Sequence, residues 1–235
     1  MLKVREVSKI YENGRGIQDF TLDANQGEVI CLVGPNGAGK TTIIKMLAGV
    51  MKSDSGMCAI DAIPTVDVNA KFKIGYLPEN VFVYNKLTVY SFLRFVATMK
   101  EITNFEKEIK RFLFEFELWE YRDEPIKKLS MGMKKKIGII IAFLGYPSLI
   151  ILDEPTNGLD TKGIIFLKNE IKKAKEEGCI IVISSHILDF VKHIGSKFIF
   201  IKSGKIVRQV SAFEGIDLEE IYSVLYFSGN MSCFQ

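Results

Sequence analysis

Three short groups of residues carry side chains and spacings suited to chemistry on a phosphate ester. The first is Gly34-Pro35-Asn36-Gly37-Ala38-Gly39-Lys40-Thr41, followed by Thr42. Its glycines let the backbone curl until several N–H groups point inward at phosphate oxygens, and a helix starting near Lys40 adds its N-terminal dipole. Lys40 supplies a mobile point charge for the β- and γ-phosphates, and the Thr41 hydroxyl is a ligand for Mg²⁺. The second group is Asp153-Glu154, at the end of the apolar run Leu149-Ile150-Ile151-Leu152. Two adjacent carboxylates there repel each other unless a cation is near. Asp153 is suited to the hydration shell of Mg²⁺, and Glu154 to activating or orienting an attacking water. The third is His186, after Ser184-Ser185.

The elements around these groups follow from hydrophobic period. Glu28 to Val33 reads as a buried strand running into the Gly-rich turn, and Thr41 to Leu47 continues at helical spacing to Gly49. Strand, Gly loop and helix are the setting in which such a loop holds a triphosphate. Lys3–Val7 and Phe20–Ala24 read as short strands of a flanking antiparallel sheet. From Thr88 to Phe116 the pattern is helical and rich in Phe, an all-helical insertion whose aromatics are read as subdomain core. Ser130 is a good N-cap for a helix from Met131 to about Phe143. Ile164–Lys175 reads as an amphipathic helix, Cys179–Ile183 as a third apolar strand, and Phe198–Ile201 with Lys205–Val210 as a hairpin. The last dozen residues read as a frayed helix and tail. Strands alternating with helices imply a mostly parallel sheet with its chemistry at the carboxyl ends of the strands, where all three groups lie. The expected fold is therefore α/β, a P-loop NTPase with a mostly parallel core sheet, an antiparallel β subdomain and an all-helical subdomain. Its expected division is 1–79 and 145–215 as core, 80–144 as helical subdomain and 216–235 as C-terminal helix and tail, all within one domain of 1–235.

Composition limits the alternatives. The 235 residues are enough for one α/β domain with a buried core, and 48% hydrophobic with 25% charged residues is the balance of a folded globular protein. A net charge of +3 is too mild to make nucleic acid the main partner. No stretch reaches the roughly 18–20 apolar residues that cross a bilayer, and Met1-Leu2-Lys3-Val4 opens into a strand pattern with no signal-peptide core. The expectation is a cytoplasmic protein, held at a membrane only through a partner. Cys31, Cys58, Cys179 and Cys233 show no metal-binding spacing; Cys31 and Cys179 read as small buried hydrophobes.

Taken together, the chain resembles the ATPase subunit of an ABC transporter over nearly its whole length. Leu129-Ser130-Met131-Gly132-Met133, followed by Lys134-Lys135-Lys136, is similar to the family's LSGGQ signature, Gly158-Leu159-Asp160 to its D-loop, and His186 to its switch histidine. Tyr11 stands where the family places an aromatic ring against adenine; the alternative is a strand-edge aromatic packing on the sheet. For His186 the alternative is a hydrogen-bonded surface histidine. The resemblance implies two such domains facing head to tail, the partner being a second copy or a related ATPase subunit. ATP would lie between the Gly34–Thr42 loop of one and the Ser130–Gly132 segment of the other, with Asp160 at the same interface. His186 would contact the γ-phosphate. Moving an open-dominated pair from 1:99 to 99:1 requires ATP to favour the closed form by about 5.5 kcal/mol. A separate transmembrane permease subunit is the implied partner, in a groove beside Glu79 and the helical insertion, and the ATPase would sit on the inner face of the membrane. The Lys134–Lys136 run is expected to be the solvated face of a helix.

Two residues depart from the family pattern. Glu79, in Ile74-Gly75-Tyr76-Leu77-Pro78-Glu79, stands where Gln is usual; a carboxylate still ligates Mg²⁺ but adds repulsion near a γ-phosphate. Met131 replaces the first of two glycines. The Tyr-Leu-Pro-Glu form and the Gly-Met-Lys ending resemble the exporter-like branch, which includes drug, polysaccharide and antibiotic-resistance systems. The alternative function is a soluble ATPase of the same family acting on nucleic acid or ribosomes, but the chain carries neither a long coiled-coil insertion nor a second ATPase unit. A small-molecule kinase has no use for the signature, the D-loop or His186.

Overall fold

Val29-Ile30-Cys31-Leu32-Val33 has no polar side chain, so as a strand it requires cover on both faces. It forms β3 (Val29–Val33), and all five of its residues are buried. β7 (Leu149–Asp153) and β8 (Ile180–Ser185) are buried along their whole length for the same reason. With β6 (Ile74–Leu77), β9 (Lys197–Lys202) and β10 (Lys205–Ser211) they make a six-stranded sheet in the order β10-β9-β3-β8-β7-β6. Every pairing is parallel except the β9–β10 hairpin at one edge. The structure, a computed structural model, describes residues 1–212 and 217–227. Cys233 and the tail beyond residue 227 lie outside them.

Alternation along the buried strands divides the core in two. Val29, Cys31 and Val33 face one apolar cluster, which holds the helical insertion; Ile30 and Leu32 face the other, which holds the flanking sheet. That flanking sheet is antiparallel, in the order β2-β1-β4-β5, from β1 (Leu2–Ile10), β2 (Gly16–Ala24), β4 (Ser55–Ile60) and β5 (Ile63–Pro64). Its first two strands are longer than the expected Lys3–Val7 and Phe20–Ala24, because pairing carries the ladder past the apolar segments into polar residues. β4 and β6 have no counterpart in the sequence pattern. Half of β4 is exposed, and β6 is four residues long, so neither shows a sustained period.

The helices are α1 (Lys40–Leu47), α2 (Val68–Lys71), α3 (Val89–Met99), α4 (Phe105–Glu115), α5 (Met131–Phe143), α6 (Thr161–Glu176), α7 (Leu188–Ile194) and α8 (Leu218–Tyr226). Thr88 caps α3 by accepting from the Ser91 N–H, Ser130 caps α5 by accepting from Met133, and Asp160 caps α6 by accepting from Gly163. α3 and α4 bury Phe92, Leu93, Ile109, Phe112 and Leu113 against α5, as expected for the core of a helical subdomain.

An ionic knot around the buried Glu170 ties the helical layer to α6. The two Arg111 guanidinium nitrogens donate to the two Glu170 carboxylate oxygens, each at 2.9 Å, joining α4 to α6. The Tyr146 hydroxyl donates to the same carboxylate, and Lys173 pairs with it at 3.4 Å. Burial pushes Glu170 up, but the Arg111 fork and Tyr146 outweigh it and hold it below its ordinary range. Among the described residues no helix is long and apolar enough to cross a membrane.

Candidate active site

The carboxyl ends of β3, β6, β7 and β8 lie along one edge of the sheet, and their parallel pairing brings four loops together. The loop after β3 passes through Gly37 (φ +80°) and Gly39 (φ +113°) before entering α1. At Gly39 a Cβ would also stand 2.2 Å from the Ile17 Cδ1, so this position takes glycine for conformation and for space. Lys40 is buried, and its ammonium donates to the carbonyls of Gly34 (2.7 Å) and Pro35 (3.3 Å).

Lys40 also pairs with the Glu154 Oε1 at 3.6 Å. The other Glu154 oxygen meets the His186 Nδ1 at 2.9 Å, so this buried carboxylate stands between a cation and an imidazole. Glu154 has φ +45°, a left-handed conformation that costs a non-glycine residue about 1–3 kcal/mol. Its backbone N–H is held by Ser184, through both the carbonyl (3.2 Å) and the hydroxyl (3.0 Å). The strain turns the side chain from the strand end toward the phosphate loop.

Asp153 is almost wholly buried. Its Oδ1 accepts from the Ser184 hydroxyl at 2.5 Å and from the Thr41 hydroxyl at 3.3 Å, while its Oδ2 is buried with no partner. An orphaned carboxylate oxygen beside a threonine hydroxyl is an all-oxygen donor set suited to a hard divalent cation. Among the described residues no cluster of three His, Cys, Asp or Glu could by itself cage a metal.

A cavity of about 470 Å³ opens in front of these groups, lined by Tyr11, Arg15, Gly37, Lys40, Thr41, Thr42, Glu79 and Glu154 among others. The Tyr11 hydroxyl lies 3.3 Å from the Thr42 hydroxyl, at the rim. Asn36 and Gly39 also line it; Gly34 and Ala38 are buried beneath the loop, and Pro35 is exposed on it. Glu79 follows β6 by two residues and is exposed where it lines the cavity.

Ser130, Gly132 and Asp160 do not line this cavity. Ser130 spends its hydroxyl on the α5 cap, and Asp160 caps α6 while pairing with Lys136 at 3.2 Å. Gly132 has a local reason to be glycine: a Cβ there would lie 2.7 Å from the Gly158 carbonyl. The signature segment and the D-loop are thus packed on each other, away from the phosphate loop of their own chain.

The expectation that Lys134–Lys136 forms a solvated helix face is corrected. Lys135 and Lys136 are buried, because α5 is covered on most sides. Lys135 donates to the carbonyls of Glu79 (3.2 Å) and Asp153 (3.5 Å). Burial lowers its proton affinity, opposed by the charges of Asp153, Glu79 and Glu154. The sequence reading also passes over Arg15 on the cavity wall and Ser184, which holds both acidic residues. Ser184 at a strand end beside His186 is a signal that could have found it; nothing local marks Arg15. Cys31, Cys58 and Cys179 are buried, and burial pushes Cys58 up to about 12 and Cys179 to about 11, consistent with packing groups.

The family model described as ABC transporter matches residues 17–157. The chain is 36% identical over 223 residues to a Streptococcus pyogenes protein named lantibiotic transport ATP-binding protein SrtF, covering 95% of this chain and 96% of the relative. It is 33% identical over 214 residues to the SkfA peptide export ATP-binding protein SkfE of Bacillus subtilis, covering 89% of each. Among solved structures, one described as an ATP binding subunit of an ABC transporter superposes with a TM-score of 0.90 at 30% identity, over 96% of this chain and 99% of that one. A dimeric post-hydrolysis cassette bound to ADP and Pi, MJ0796, shares the fold at a TM-score of 0.81 and 24% identity, over 90% and 99%.

Proposed function

The chain belongs to the ABC transporter family as one of its ATP-binding and ATP-hydrolysing subunits, and we propose that it drives a separate membrane permease that exports a peptide. Lantibiotic and peptide export are what the names of two full-length relatives describe. The carrying observation is that one chain presents two unlike halves of a site. The phosphate loop and Glu154 line one cavity, with Asp153 bonded to Thr41 and His186 to Glu154, while Ser130 and Gly132 stand outside it with the start of their helix exposed. A second copy or a related subunit, closing head to tail, brings that terminus and its free N–H groups to the phosphates of bound ATP.

In this reading Tyr11 lies against the adenine, and residues 34–42 cradle the phosphates. Lys40 exchanges the carbonyls of Gly34 and Pro35 for β- and γ-phosphate oxygens, which also loosens its hold on Glu154. Glu154, released on that side and still bonded to His186, accepts the proton of the attacking water. Thr41, Asp153 and Glu79 would hold Mg²⁺, whose chemistry is to neutralise charge on the phosphates during transfer. His186 reports on the γ-phosphate through its exposed face, and Asp160 reaches the same interface from the D-loop. Residues 80–144 act as a helical subdomain against a core of 1–79 and 145–215.

For the permease we propose the surface that begins at Glu79. Phe82, Tyr84, Phe95 and Met99 are exposed, and the Tyr84 ring packs edge-on to Phe92 and Phe95. The contiguous exposed aromatic surface of Tyr84 and Phe95 is of the kind a partner covers. The partner would hold the subunit on the inner face of the membrane. Two measurements test the reading. Light scattering of the Glu154→Gln chain with ATP should give a dimer that disperses when ATP is withdrawn; a monomer at saturating ATP refutes head-to-tail closure. Co-expressed membrane protein should co-purify with the native chain and be lost with Phe82→Ser/Tyr84→Ser, and retention would place the interface elsewhere.

A further inference from the structure

Lys135 joins three segments that are far apart in sequence. It sits one turn into α5, shortly after the exposed Ser130 and Met131 and the half-buried Gly132, and is 5% exposed. Its ammonium is bound to two backbone carbonyls, Glu79 at 3.2 Å and Asp153 at 3.5 Å. The two carbonyls differ in how firmly the fold holds them. Asp153 ends β7, which is buried throughout and paired on both sides in the sheet. Glu79 lies beyond the end of the edge strand β6, exposed, where the chain leaves for the helical layer.

A lysine suits this place because a flexible stem carrying three donors can bridge carbonyls that face different ways. A buried cation also strengthens each of those hydrogen bonds relative to a neutral donor. With one end of the bridge fixed in the sheet, its effect falls on the other end, the Glu79 turn.

We propose that Lys135 is a positioning residue for hydrolysis, pinning the Glu79 turn to the end of β7 and making its placement depend on α5. The inference rests on the reading above that Glu79 acts at the nucleotide. Because α5 also carries Ser130 and Gly132 at its start, one rigid helix carries both the terminus offered to a second subunit and the tether that places Glu79. Loss of the tether therefore lets Glu79 shift relative to Thr41 and Asp153 in its own site. Lys136, one residue on, holds the D-loop residue Asp160, so adjacent side chains of one helix secure two different loops.

A double-mutant cycle tests this, with kcat, KM and nucleotide affinity measured on the full chain. Lys135→Met keeps the aliphatic stem and removes all three donors. It should lower kcat about tenfold or more, since small misplacements of a reacting group carry losses of up to about 100-fold, while nucleotide Kd changes less than about threefold. In a Glu79→Ala background the same substitution should cost less than about twofold, because no Glu79 carboxylate is left to place. Thermal unfolding and a second variant, Lys135→Gln, separate positioning from folding. The proposal is overturned if kcat is unchanged in Lys135→Met, if the loss is as large in the Glu79→Ala background, or if neither variant folds. Glu79→Ala alone keeps the two ideas apart. If it leaves kcat unchanged, the reading of Glu79 fails and takes this proposal with it. If it lowers kcat while Lys135→Met does not, only the tether fails.

Discussion

Replacing Glu154 by Gln changes one charge in a site where that charge has two partners. The carboxylate sits 3.6 Å from the Lys40 ammonium and 2.9 Å from the His186 Nδ1. At an effective dielectric near 20, a 3.6 Å pair attracts by roughly 4–5 kcal/mol before desolvation is subtracted, and most of that is returned as the cost of burying both charges. ATP must draw Lys40 away from this partner, so the native chain binds nucleotide against a competitor. With Gln the competitor is neutral, and ATP affinity should stay level or rise by up to about tenfold, a difference of about 1.4 kcal/mol. Turnover should fall by roughly 10²–10⁴, the usual contribution of a positioned general base. The fold should be untouched, because the strained φ of +45° is held through the backbone N–H of residue 154 and Ser184, which the substitution leaves in place. Phosphate release under saturating ATP and nucleotide titration at equilibrium supply the two numbers. Turnover within about tenfold of native shows that Glu154 is not the base; affinity weakened by more than about tenfold shows that Lys40 is not freed as argued.

Gly39→Ala should abolish measurable nucleotide binding and destabilise the fold by about 1–3 kcal/mol, since φ is +113° and the new methyl meets Ile17; urea unfolding beside ATP titration checks both. Arg111→Met leaves Glu170 buried beside Tyr146 and Lys173 without its bidentate partner, and should cost about 2–4 kcal/mol in urea unfolding, with part recovered in Arg111→Met/Glu170→Leu. Lys100 is largely enclosed and donates to the Ile74 carbonyl, and burial brings it down to about 8 from an ordinary 10.5. Between those values the unfolded chain holds a proton the folded chain has lost, so stability rises with pH across that window. Lys100→Met should flatten this rise, seen as a smaller gain in Tm from pH 7.5 to 9.5 than the native chain shows.

Much of the candidate site is legible in the sequence. The Gly34–Thr41 loop announces itself because phosphate binding there uses backbone groups, and only a particular glycine spacing lets the backbone present them. Asp153 and Glu154 are legible because the apolar run before them can only be a buried strand, and the resemblance carried by Ser130, Gly132, Asp160 and His186 led to the family. The α5 cap at Ser130 was equally clear, since capping is a local interaction.

What the sequence determined by itself is therefore the set of elements that depend on neighbours in the chain: buried strands, capped helices and the phosphate loop between them. Tertiary structure alone decided which polar groups those elements leave facing one another. It turned Lys135 inward to the carbonyls of Glu79 and Asp153, 56 and 18 residues away, where the charge run suggested a wet helix face. It gave Ser184 both acidic residues to hold, seated Arg15 on the cavity wall, and packed Gly132 on Gly158. A lysine reads as solvated from its own helix because burial of its charge is costly, and only carbonyls delivered by other strands offset that cost.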